Sequence, residues 1–426
     1  MKSANNKVYV LGSARVPFAK SQTSYNNVSR HDLMLASVNA LVERYKLQGR
    51  LIGDVALGAV MNSSTDFNLA REVVLSTALD PNSPAYNVQR ACGTGLETAW
   101  QLAMKAHTGA IDIGIAGGVD TNSDIPIEVS NKLQKALLNL NKAKSLSDRL
   151  KIISGLRFRD FKPKLPVIDE PRTRLSMGAH CEIMVKEWKI SREAQDELAL
   201  ASHLNAAKAY EAGFFDDLVT PFMNLKKDGT VRADTSMEKL RKLKPVFDTV
   251  NGTLTAGNSS PLTDGSACVL IGNAEGAQQA GSKMLAEIID VQVAAVDFVR
   301  GAGLLMAPTK AVAQLLTRNK LSFSEFDYFE IHEAFAGQVL CNLKAWETAE
   351  YCRDVLGLQS ALGSLDRKNL NVVGSSVSVG HPFAATGARI LGTLAKLLSQ
   401  NTGKKRGLIS ICTAGGMGIA AILESV

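Results

Sequence analysis

Two stretches of the chain decide its fold. Residues 87–97 read NVQRACGTGLE, and residues 371–389 read NVVGSSVSVGHPFAATGAR. Each stretch starts with an Asn-Val pair, passes through a turn that contains glycine and continues into a segment with helical spacing. A strand-like run follows each of them, at 111–116 and at 408–411, and both runs lead to a pair of glycines. Duplication of one strand–helix–strand unit is the most economical explanation, and it predicts an α/β fold with two similar core domains.

The rest of the sequence alternates short strand-like runs with helical patterns. This βαβ order predicts a largely parallel sheet that is buried on both faces. The strand-like runs lie at 7–11, 51–60, 85–88, 285–293, 327–331 and 371–373, and the helical patterns lie at 31–45, 93–107, 309–316 and 388–399.

One long segment between the two halves does not follow this pattern. Residues 126–254 are more charged and less regular than the rest, and we interpret them as a loop domain inserted into the first half. The expected organisation is an N-terminal core domain at 1–125 plus 255–278, the inserted loop domain at 126–254, and a C-terminal core domain at 279–426.

The composition is that of a globular enzyme with a sizeable core. The 426 residues are 46% apolar and 21% charged, which excludes a disordered or collagen-like chain. No apolar run reaches the roughly 18 to 20 residues that span a bilayer, and the N-terminus leads into a strand-like run without an apolar signal segment. The six cysteines form no Cys-x-x-Cys pair, which favours a reducing compartment over a disulfide framework or a zinc site. We therefore expect a cytoplasmic protein without a metal or redox cofactor.

The net charge of +7 is confined to one segment. Ten of the 48 basic residues and three of the 41 acidic ones lie between Glu128 and Lys164, which leaves 38 of each sign elsewhere. The basicity is therefore local, and it does not predict a protein that binds nucleic acid.

The same segment carries two apolar stripes at helical spacing. A pair that resembles a capping box, Ser145 and Asp148, indicates a turn between them. A basic amphipathic hairpin near 128–164 is typical of a contact with an anionic membrane surface. The alternative is a solvated face whose apolar stripe packs on the protein's own body or on a partner subunit. The stripes consist of Val129, Leu133, Leu137 and Leu140, and of Leu146, Leu150 and Ile153.

The two duplicated stretches each place a reactive side chain in a turn from a strand to a helix. Cys92 precedes a helical segment, where the dipole and free backbone N–H groups lower the pKa of a thiol. His381 lies in the corresponding Gly-His-Pro turn, where an imidazole can act as a general base. By position alone, Cys92 also fits a small buried cysteine, and His381 also fits a satisfied loop histidine.

Two further sites follow the ends of predicted strands. Cys412 precedes a glycine run whose backbone can supply oxyanion donors, although a packed cysteine beside a tight turn fits it equally. The motif His332-Glu333-Ala334-Phe335 begins where another strand ends. Because ligands of open α/β sheets collect at the carboxyl ends of strands, we expect all four sites to share one location.

Together, the four motifs resemble those of the thiolase family. The resemblance extends from Arg15-Val16-Pro17-Phe18 to the loop at Cys412, in the order that the family has. It implies the thiolase fold, with two duplicated core domains and an inserted loop domain. Thiolases more often have Asn-Glu-Ala-Phe at the position of His332-Glu333-Ala334-Phe335. The version that begins with histidine is similar to the β subunit of the trifunctional enzyme of fatty-acid oxidation and its bacterial relatives.

The resemblance assigns a role to each motif. It implies that Cys92 is acylated, that His381 activates it, and that Cys412 transfers a proton to and from the substrate. His332 and His381 then bind the thioester oxygen, and the backbone N–H groups of Cys92 and Ala414 form an oxyanion hole, although many thiolases have glycine where this chain has Ala414. The remaining predicted contacts to substrate or coenzyme A come from Ser260, Met177 and Phe335.

The implied reaction is ping-pong cleavage of a 3-ketoacyl-CoA by coenzyme A, which is a substrate and not a cofactor. A biosynthetic acetyl-CoA acetyltransferase is the main alternative. A ketosynthase would have histidine in place of Cys412, and a non-catalytic lipid-binding protein would lack the nucleophile. The resemblance also implies a homodimer or homotetramer, a hydratase–dehydrogenase α subunit as a partner, and a hairpin that associates with membranes.

Overall fold

The computed structural model of the chain describes residues 6–164 and 169–426. The prediction that no signal segment is present rests mainly on residues 1–5, and these residues lie outside the described part of the chain. The described residues contain ten strands: β1 (Tyr9–Arg15), β2 (Ala19–Lys20), β3 (Asp54–Leu57), β4 (Ala85–Asn87), β5 (Ile113–Asp120), β6 (Thr263–Gly272), β7 (Ala286–Ala295), β8 (Tyr328–Ile331), β9 (Arg406–Thr413) and β10 (Met417–Glu424).

The helices include every one that the sequence predicts. Those in the described residues are α1 (Arg30–Arg44), α2 (Leu69–Leu75), α3 (Thr94–His107), α4 (Asn131–Lys142), α5 (Leu146–Ser154), α6 (Met177–Glu187), α7 (Arg192–Glu211), α8 (Met237–Arg241), α9 (Ala274–Ala280), α10 (Ala307–Asn319), α11 (Ala336–Glu347), α12 (Ala349–Asp354), α13 (Ser376–Val379) and α14 (Ala385–Ser399).

The strands form one sheet whose order shows the duplication. The order is β4-β3-β5-β6-β1-β7-β10-β9-β8, and β2 pairs with β6 outside this path. In the first half, β3 and β5 are parallel, β6 is antiparallel to β5, and β1 is antiparallel to β6. The run β8, β9, β10 and β7 repeats these relations in the second half. The halves join where β1 pairs with β7.

The prediction of a largely parallel sheet is wrong, because the sheet is mixed. In the part of the chain that the structure describes, three strand pairs are parallel and six are antiparallel. The physical reason is that β10 follows β9 through a tight turn at 414–416 and must run back beside it. β6 likewise returns antiparallel between β5 and β1.

The predicted strand at 371–373 is also not formed. Asn371 has a positive φ of 48°, and the chain turns there instead of extending. Its side chain takes the place of a neighbouring strand, because the amide oxygen accepts from the Ile331 N–H at 2.9 Å and the amide nitrogen donates to the Ile331 carbonyl at 3.0 Å. The outer edge of β8 is therefore satisfied at Ile331 by the Asn371 side chain and at Phe329 by the Asn371 backbone N–H.

The helices of the two duplicated stretches pack against each other. α14 is buried along nearly its whole length, including a polar stripe of Thr386, Arg389, Thr393 and Lys396. A Cβ atom at Gly95 of α3 would lie 2.5 Å from the backbone nitrogen of Ala388, and one at Gly387 of α14 would lie 2.3 Å from that of Leu96. Glycine at both positions allows the two backbones to approach closely. This approach brings the turn before α3 next to the turn before α14.

The excursion between β5 and β6 carries α4 to α8 and is fixed to the core by a buried ion pair. The guanidinium of Arg15 donates to both oxygens of Asp228 at 2.6 and 2.7 Å. Phe18 and Phe215 lie against the same guanidinium, with 4.8 and 5.6 Å between its carbon and the ring centroids. A two-pronged contact of this kind fixes orientation as well as position. It links β1 to the segment after α7.

The basic segment folds into the predicted helical hairpin. α4 and α5 are its two helices, Ser145 caps α5 by accepting from the Asp148 N–H, and a bridge between Glu128 and Lys164 closes the base. Among the residues of the two stripes, only Leu133 is buried and Leu146 is 75% exposed, while Phe158 in the loop that follows is 97% exposed. In this single chain, the apolar stripes therefore do not pack on the protein's own body.

A search of the described residues for a helix both long and apolar enough to cross a membrane found none.

Candidate active site

Cys92 lies in the turn between β4 and α3. Ala91 has a positive φ of 44°, and Thr94 tightens the turn by donating to the Ala91 carbonyl at 2.7 Å and accepting from the Arg90 N–H at 2.8 Å. Cys92 is partly exposed, whereas the other five cysteines are buried. The turn therefore leaves Cys92 more accessible than the other five thiols.

His381 meets Cys92 across the boundary between the halves. The distance between His381 Nε2 and Cys92 Sγ is 3.2 Å. His381 Nδ1 lies 2.6 Å from Thr386 Oγ1, and its backbone N–H donates to Thr263 Oγ1 at 2.7 Å. The ring is thus held from both ends, with one nitrogen on the thiol. This geometry is that of a nucleophile and its general base.

The pair is neutral at rest. Burial raises the pKa of the Cys92 thiol to about 12, against the lowering effect of nearby backbone N–H groups. Burial and the Arg389 charge lower the pKa of His381 to about 3. The expectation that the helix N-terminus would lower the pKa of Cys92 overall is therefore wrong, because desolvation outweighs it. Such a pair generates the thiolate only when the imidazole takes the proton during attack.

Cys412 lies at the end of β9 and is 1% exposed. Burial and the neighbouring Cys92 raise the pKa of Cys412 well above that of a free thiol, so Cys412 is protonated at rest. Cys412 belongs to an apolar cluster that also holds Phe335 and against which Met177 packs, and the sequence predicts both as substrate contacts. A protonated thiol beside a nucleophilic one is placed to donate a proton.

His332 follows β8 and is fully buried. Its ring centroid lies 4.2 Å from that of His381. Nδ1 lies 2.7 Å from Ser376 Oγ, and Nε2 has no hydrogen-bond partner among the described residues. Burial, with the nearby His381 and Arg389, lowers the pKa of His332 well below its ordinary value. His332 is therefore a neutral imidazole with one free nitrogen in the site.

The predicted oxyanion donors lie at the thiol. The backbone N–H groups of Ala414 and of Cys92 itself both act on the sulfur, since each lowers the pKa of Cys92. The turn that carries Ala414 is fixed from the other side, because the Gly415 N–H donates to Glu170 Oε1 at 2.6 Å. The two N–H groups come from different halves, and both act on the Cys92 sulfur. They are suited to stabilise a negative oxygen on the substrate carbon that this sulfur attacks.

The predicted coenzyme A loop passes between the two histidine turns. The Ser260 N–H donates to the Ala334 carbonyl at 3.0 Å, and Leu262 bridges to His381. Ser260 is half-buried, and Met177, at the start of α6, is also half-buried. Phe335 is buried with its ring edge-on to Phe247 at 5.8 Å. The loop of Ser260 is thus tied to both histidine turns, and Met177 and Phe335 belong to the apolar cluster that holds Cys412.

Several residues at this centre carry no motif of their own and were not predicted. Ser376 and Arg389 lie behind His332, and the Glu333 carboxylate accepts from Ser202, Asn371 and the Val377 N–H. The signal that could have found Ser376 and Arg389 is their position within the 371–389 stretch. Nothing in a single sequence distinguishes Ser202 from an ordinary buried polar residue.

Cys92, His332 and His381 also form a possible ligand set for a metal ion, since each offers a ligand atom within 4.8 Å of the other two. Thiolate and imidazole are ligands that zinc prefers. The same three residues also fit a nucleophile, its base and an oxygen-binding group. The position of the proton on His332 decides between a metal site and a catalytic site.

The fold and the site define a class of protein: a duplicated α/β scaffold with a cysteine and a histidine at the N-termini of two equivalent helices. Family models for the thiolase N-terminal domain and the thiolase C-terminal domain match residues 8–275 and 282–425. The chain belongs to the thiolase family.

Curated relatives and solved structures agree with this membership. The chain is 40% identical to the 3-ketoacyl-CoA thiolase of Aeromonas salmonicida and 39% identical to that of Photorhabdus laumondii, over 98% of this chain and 97% of each relative. The acetyl-CoA acetyltransferase of Bacillus anthracis matches with a TM-score of 0.80 and 29% identity over all of both chains. Human mitochondrial 3-ketoacyl-CoA thiolase in complex with CoA matches with a TM-score of 0.81 and 26% identity over 99% of each chain.

Proposed function

We propose that the chain cleaves 3-ketoacyl-CoA with coenzyme A to give acetyl-CoA and a shortened acyl-CoA, the acetyl-CoA C-acyltransferase reaction of fatty-acid β-oxidation. The observation that carries the proposal is the 3.2 Å contact between His381 Nε2 and Cys92 Sγ, with the protonated thiol of Cys412 beside it. The relatives at about 40% identity over nearly the full length support it.

In the first half-reaction, His381 Nε2 takes the thiol proton while Cys92 Sγ attacks the keto carbon. The negative oxygen that forms is held by the N–H groups of Cys92 and Ala414, and each such donor contributes roughly 3 kcal/mol. The bond between the keto carbon and its α-carbon then breaks. The shortened acyl group stays on Cys92, and Cys412 gives its proton to the leaving enolate of acetyl-CoA.

In the second half-reaction, coenzyme A replaces acetyl-CoA and its thiol attacks the acyl-cysteine. A base removes the proton of that thiol, and Cys412, left as a thiolate after the first step, is available to take it. His381 returns a proton to Cys92 as the acyl-CoA leaves. Both catalytic groups end in their starting protonation states, so the cycle balances without a cofactor.

The predicted substrate contacts complete this proposal. Ser260 contributes to the binding of coenzyme A, Met177 and Phe335 line the acyl pocket, and His332 with His381 binds the thioester oxygen. The support is that the loop of Ser260 bridges to Phe335 through Ser259 and to His381 through Leu262.

The test is a steady-state assay with coenzyme A and 3-ketoacyl-CoAs from acetoacetyl-CoA to long-chain substrates. Cleavage that is faster with longer chains supports the proposal. Turnover of acetoacetyl-CoA alone would support the alternative, a biosynthetic acetyl-CoA acetyltransferase. No turnover with any of them would refute both.

The domain division at 1–125 plus 255–278, 126–254 and 279–426 is proposed on two grounds. The two family models meet between 275 and 282, and the excursion that carries α4 to α8 leaves the sheet after β5 and returns at β6. Limited proteolysis should cut first within 126–254 and leave the two core units intact.

We further propose that the chain is of the trifunctional β-subunit type and that its hairpin contacts an anionic membrane. The support is the net charge of +7 in this segment beside exposed apolar residues such as Leu146 and Leu150. Docking of the stripes on a hydratase–dehydrogenase α subunit is the competing outcome. A cytoplasmic location with peripheral membrane contact fits this proposal.

A homodimer or homotetramer is the proposed assembly. β4 is the terminal strand of the sheet order and leaves an edge that another chain can cover. Light scattering of the purified protein measures the assembly directly.

A further inference from the structure

A chain of hydrogen bonds lies behind His332. Arg389 Nη2 donates to Ser376 Oγ at 2.7 Å, and Ser376 Oγ lies 2.7 Å from His332 Nδ1. Ser376 and His332 are fully buried, and Arg389 is 3% exposed. Water does not compete for these groups, so their hydrogen bonds determine where each proton lies.

The direction of the chain follows from its first member. A guanidinium only donates, so the Ser376 oxygen accepts from Arg389 and its own hydrogen is left for the one other polar atom it contacts, His332 Nδ1. Nδ1 therefore accepts, and in a neutral ring the proton must then lie on Nε2. The low pKa of His332 keeps the ring neutral.

The protonated nitrogen is the one without a partner in the described part of the chain, and its ring lies at the reaction site, with a ligand atom of His332 within 4.8 Å of those of Cys92 and His381. His332 Nε2 has no partner among the described residues, and its ring is 4.2 Å from that of His381, which contacts Cys92. A buried donor without a partner is costly, so a bound group that fills this space should bring an acceptor. A carbonyl oxygen of the substrate satisfies this requirement, whereas a metal ion needs the lone pair that the proton occupies.

We propose that Ser376 and Arg389 are positioning residues that hold His332 in its Nε2–H tautomer, as a donor to the thioester oxygen. This inference rests on the proposed function. The orientation matters because the opposite tautomer would direct a lone pair at that oxygen and repel it. His332 can thus do the work of an amide N–H₂ group only while Ser376 donates to it.

The experiment is a double-mutant cycle. Ser376→Ala should lower kcat roughly ten- to a hundredfold with little change in KM. Without the serine hydroxyl, His332 is no longer held in the Nε2–H tautomer, and it is this N–H that donates in the transition state. In the His332→Asn background the same change should have little further effect, because an amide keeps its donor without Ser376. Ser378→Ala is the matched control, as Ser378 is a buried serine on the same helix whose hydroxyl bonds to Ser202 and to the Ser375 carbonyl.

An equal loss in both backgrounds would show a structural role only and overturn the proposal, as would full activity of Ser376→Ala. The rate at which iodoacetamide alkylates Cys92 should not change in Ser376→Ala, because the contact with His381 remains. Arg389→Lys keeps the positive charge but loses the planar guanidinium donor. It should therefore lower kcat, as Ser376→Ala does.

The tautomer can also be observed in the unmodified protein. Imidazole nitrogen and carbon NMR shifts of histidine-labelled protein, with the His332 signals identified by their loss in His332→Asn, should show a proton on Nε2. A proton on Nδ1 would overturn the proposal even if the variants fail to fold. This measurement needs no turnover, so it separates failure of the inference from failure of the proposed function.

Discussion

The two halves of the sheet use the ends of equivalent strands differently. β5 of the first half ends at Asp120, and β9, which has the corresponding neighbours in the second half, reaches Cys412. The Asp120 carboxylate is fully buried and accepts hydrogen bonds from the N–H groups of Val60, Met61 and Ala384. Cys412 instead lies beside the reactive thiol.

The difference shows how a duplicated scaffold divides its work. On the proposed assignment, the first half supplies the nucleophile, and its Asp120 fixes the turn that leads to α14 by bonding the Ala384 N–H at 2.8 Å. The second half supplies His381, Cys412 and His332, the groups that move or hold protons and oxygens. Each half is incomplete without the other, and the predictions below test this division.

The largest expected effect is at the nucleophile of the first half. Cys92→Ser should lower turnover by roughly 10⁴-fold or more, because a hydroxyl next to a neutral imidazole is a far poorer nucleophile. Mass spectrometry after incubation with an acyl-CoA should find the acyl group on Cys92 in the unmodified protein. Cys268→Ser is the control, since a hydroxyl can keep the hydrogen bonds to the Ala14 and Ser37 carbonyls. Recovery of the acyl group on Cys412 would reverse the assignment of the halves.

The next effect is at the end of β9. Cys412→Ala should lose roughly 10²- to 10⁴-fold in cleavage while Cys92 is still acylated by an acyl-CoA, because only proton transfer is removed. Cys341→Ala, in the same apolar cluster, serves as the control. A loss below about tenfold would count against proton transfer at Cys412.

At the equivalent end of β5, the effect should be on stability. Asp120→Asn places an amide N–H₂ against backbone donors and should lower the free energy of unfolding by roughly 1–3 kcal/mol at neutral pH. Burial raises the pKa of Asp120 to about 6 from 3.8. A raised pKa in the folded state gives stability that is present below 3.8 and lost as the pH rises through about 6. Chemical unfolding at several pH values should show this decline in the unmodified protein and a smaller one in the variant. Equal pH dependence in both would show that Asp120 does not titrate in this range.

A smaller effect is expected at His332. His332→Asn replaces one neutral N–H donor by another, so we expect activity within about tenfold of the unmodified protein. His332→Phe fills the same space without a donor and is the comparison variant. If both variants are equally inactive, the imidazole itself is required and the donor role is wrong.

The smallest effect on turnover is expected in the hairpin, outside both halves of the sheet. A variant in which five basic residues are replaced by glutamine should no longer co-sediment with vesicles that contain anionic lipid, while it cleaves acetoacetyl-CoA at a nearly unchanged rate. The five residues are Lys135, Lys142, Lys144, Arg149 and Lys151. Lys132 is kept because it pairs with Asp160 at 2.9 Å. The binding should weaken with salt, since charges are screened over about 8 Å at physiological ionic strength.

The matched control for the hairpin exchanges five exposed lysines elsewhere, at Lys226, Lys244, Lys283, Lys320 and Lys368. It changes the net charge equally and should leave vesicle binding intact. If the unmodified protein ignores anionic vesicles even at low salt, the membrane proposal is wrong and docking on a partner subunit becomes the better explanation.

Local patterns were sufficient for six of the fourteen helices in the described residues, namely α1, α3, α4, α5, α10 and α14. The helical spacing at 93–107 and the hairpin stripes gave the right elements because side-chain periodicity is a local property. The strands β6 and β10 were missed because each contains glycine or runs directly on from a turn, and their antiparallel direction depends on distant partners. Asn371 reads as a strand residue, but its side chain satisfies the edge of β8.

The sequence by itself determined the duplicated α/β class, the thiolase motifs and the position of the basic hairpin, because each is written in contiguous residues. Only the tertiary structure decided that Cys92 and His381, 289 positions apart, meet at 3.2 Å. It also decided that both are neutral and that Ser376 and Arg389 lie behind His332. The reason is that desolvation and the direction of a hydrogen bond depend on which groups pack together, and residues far apart in the chain supply those groups.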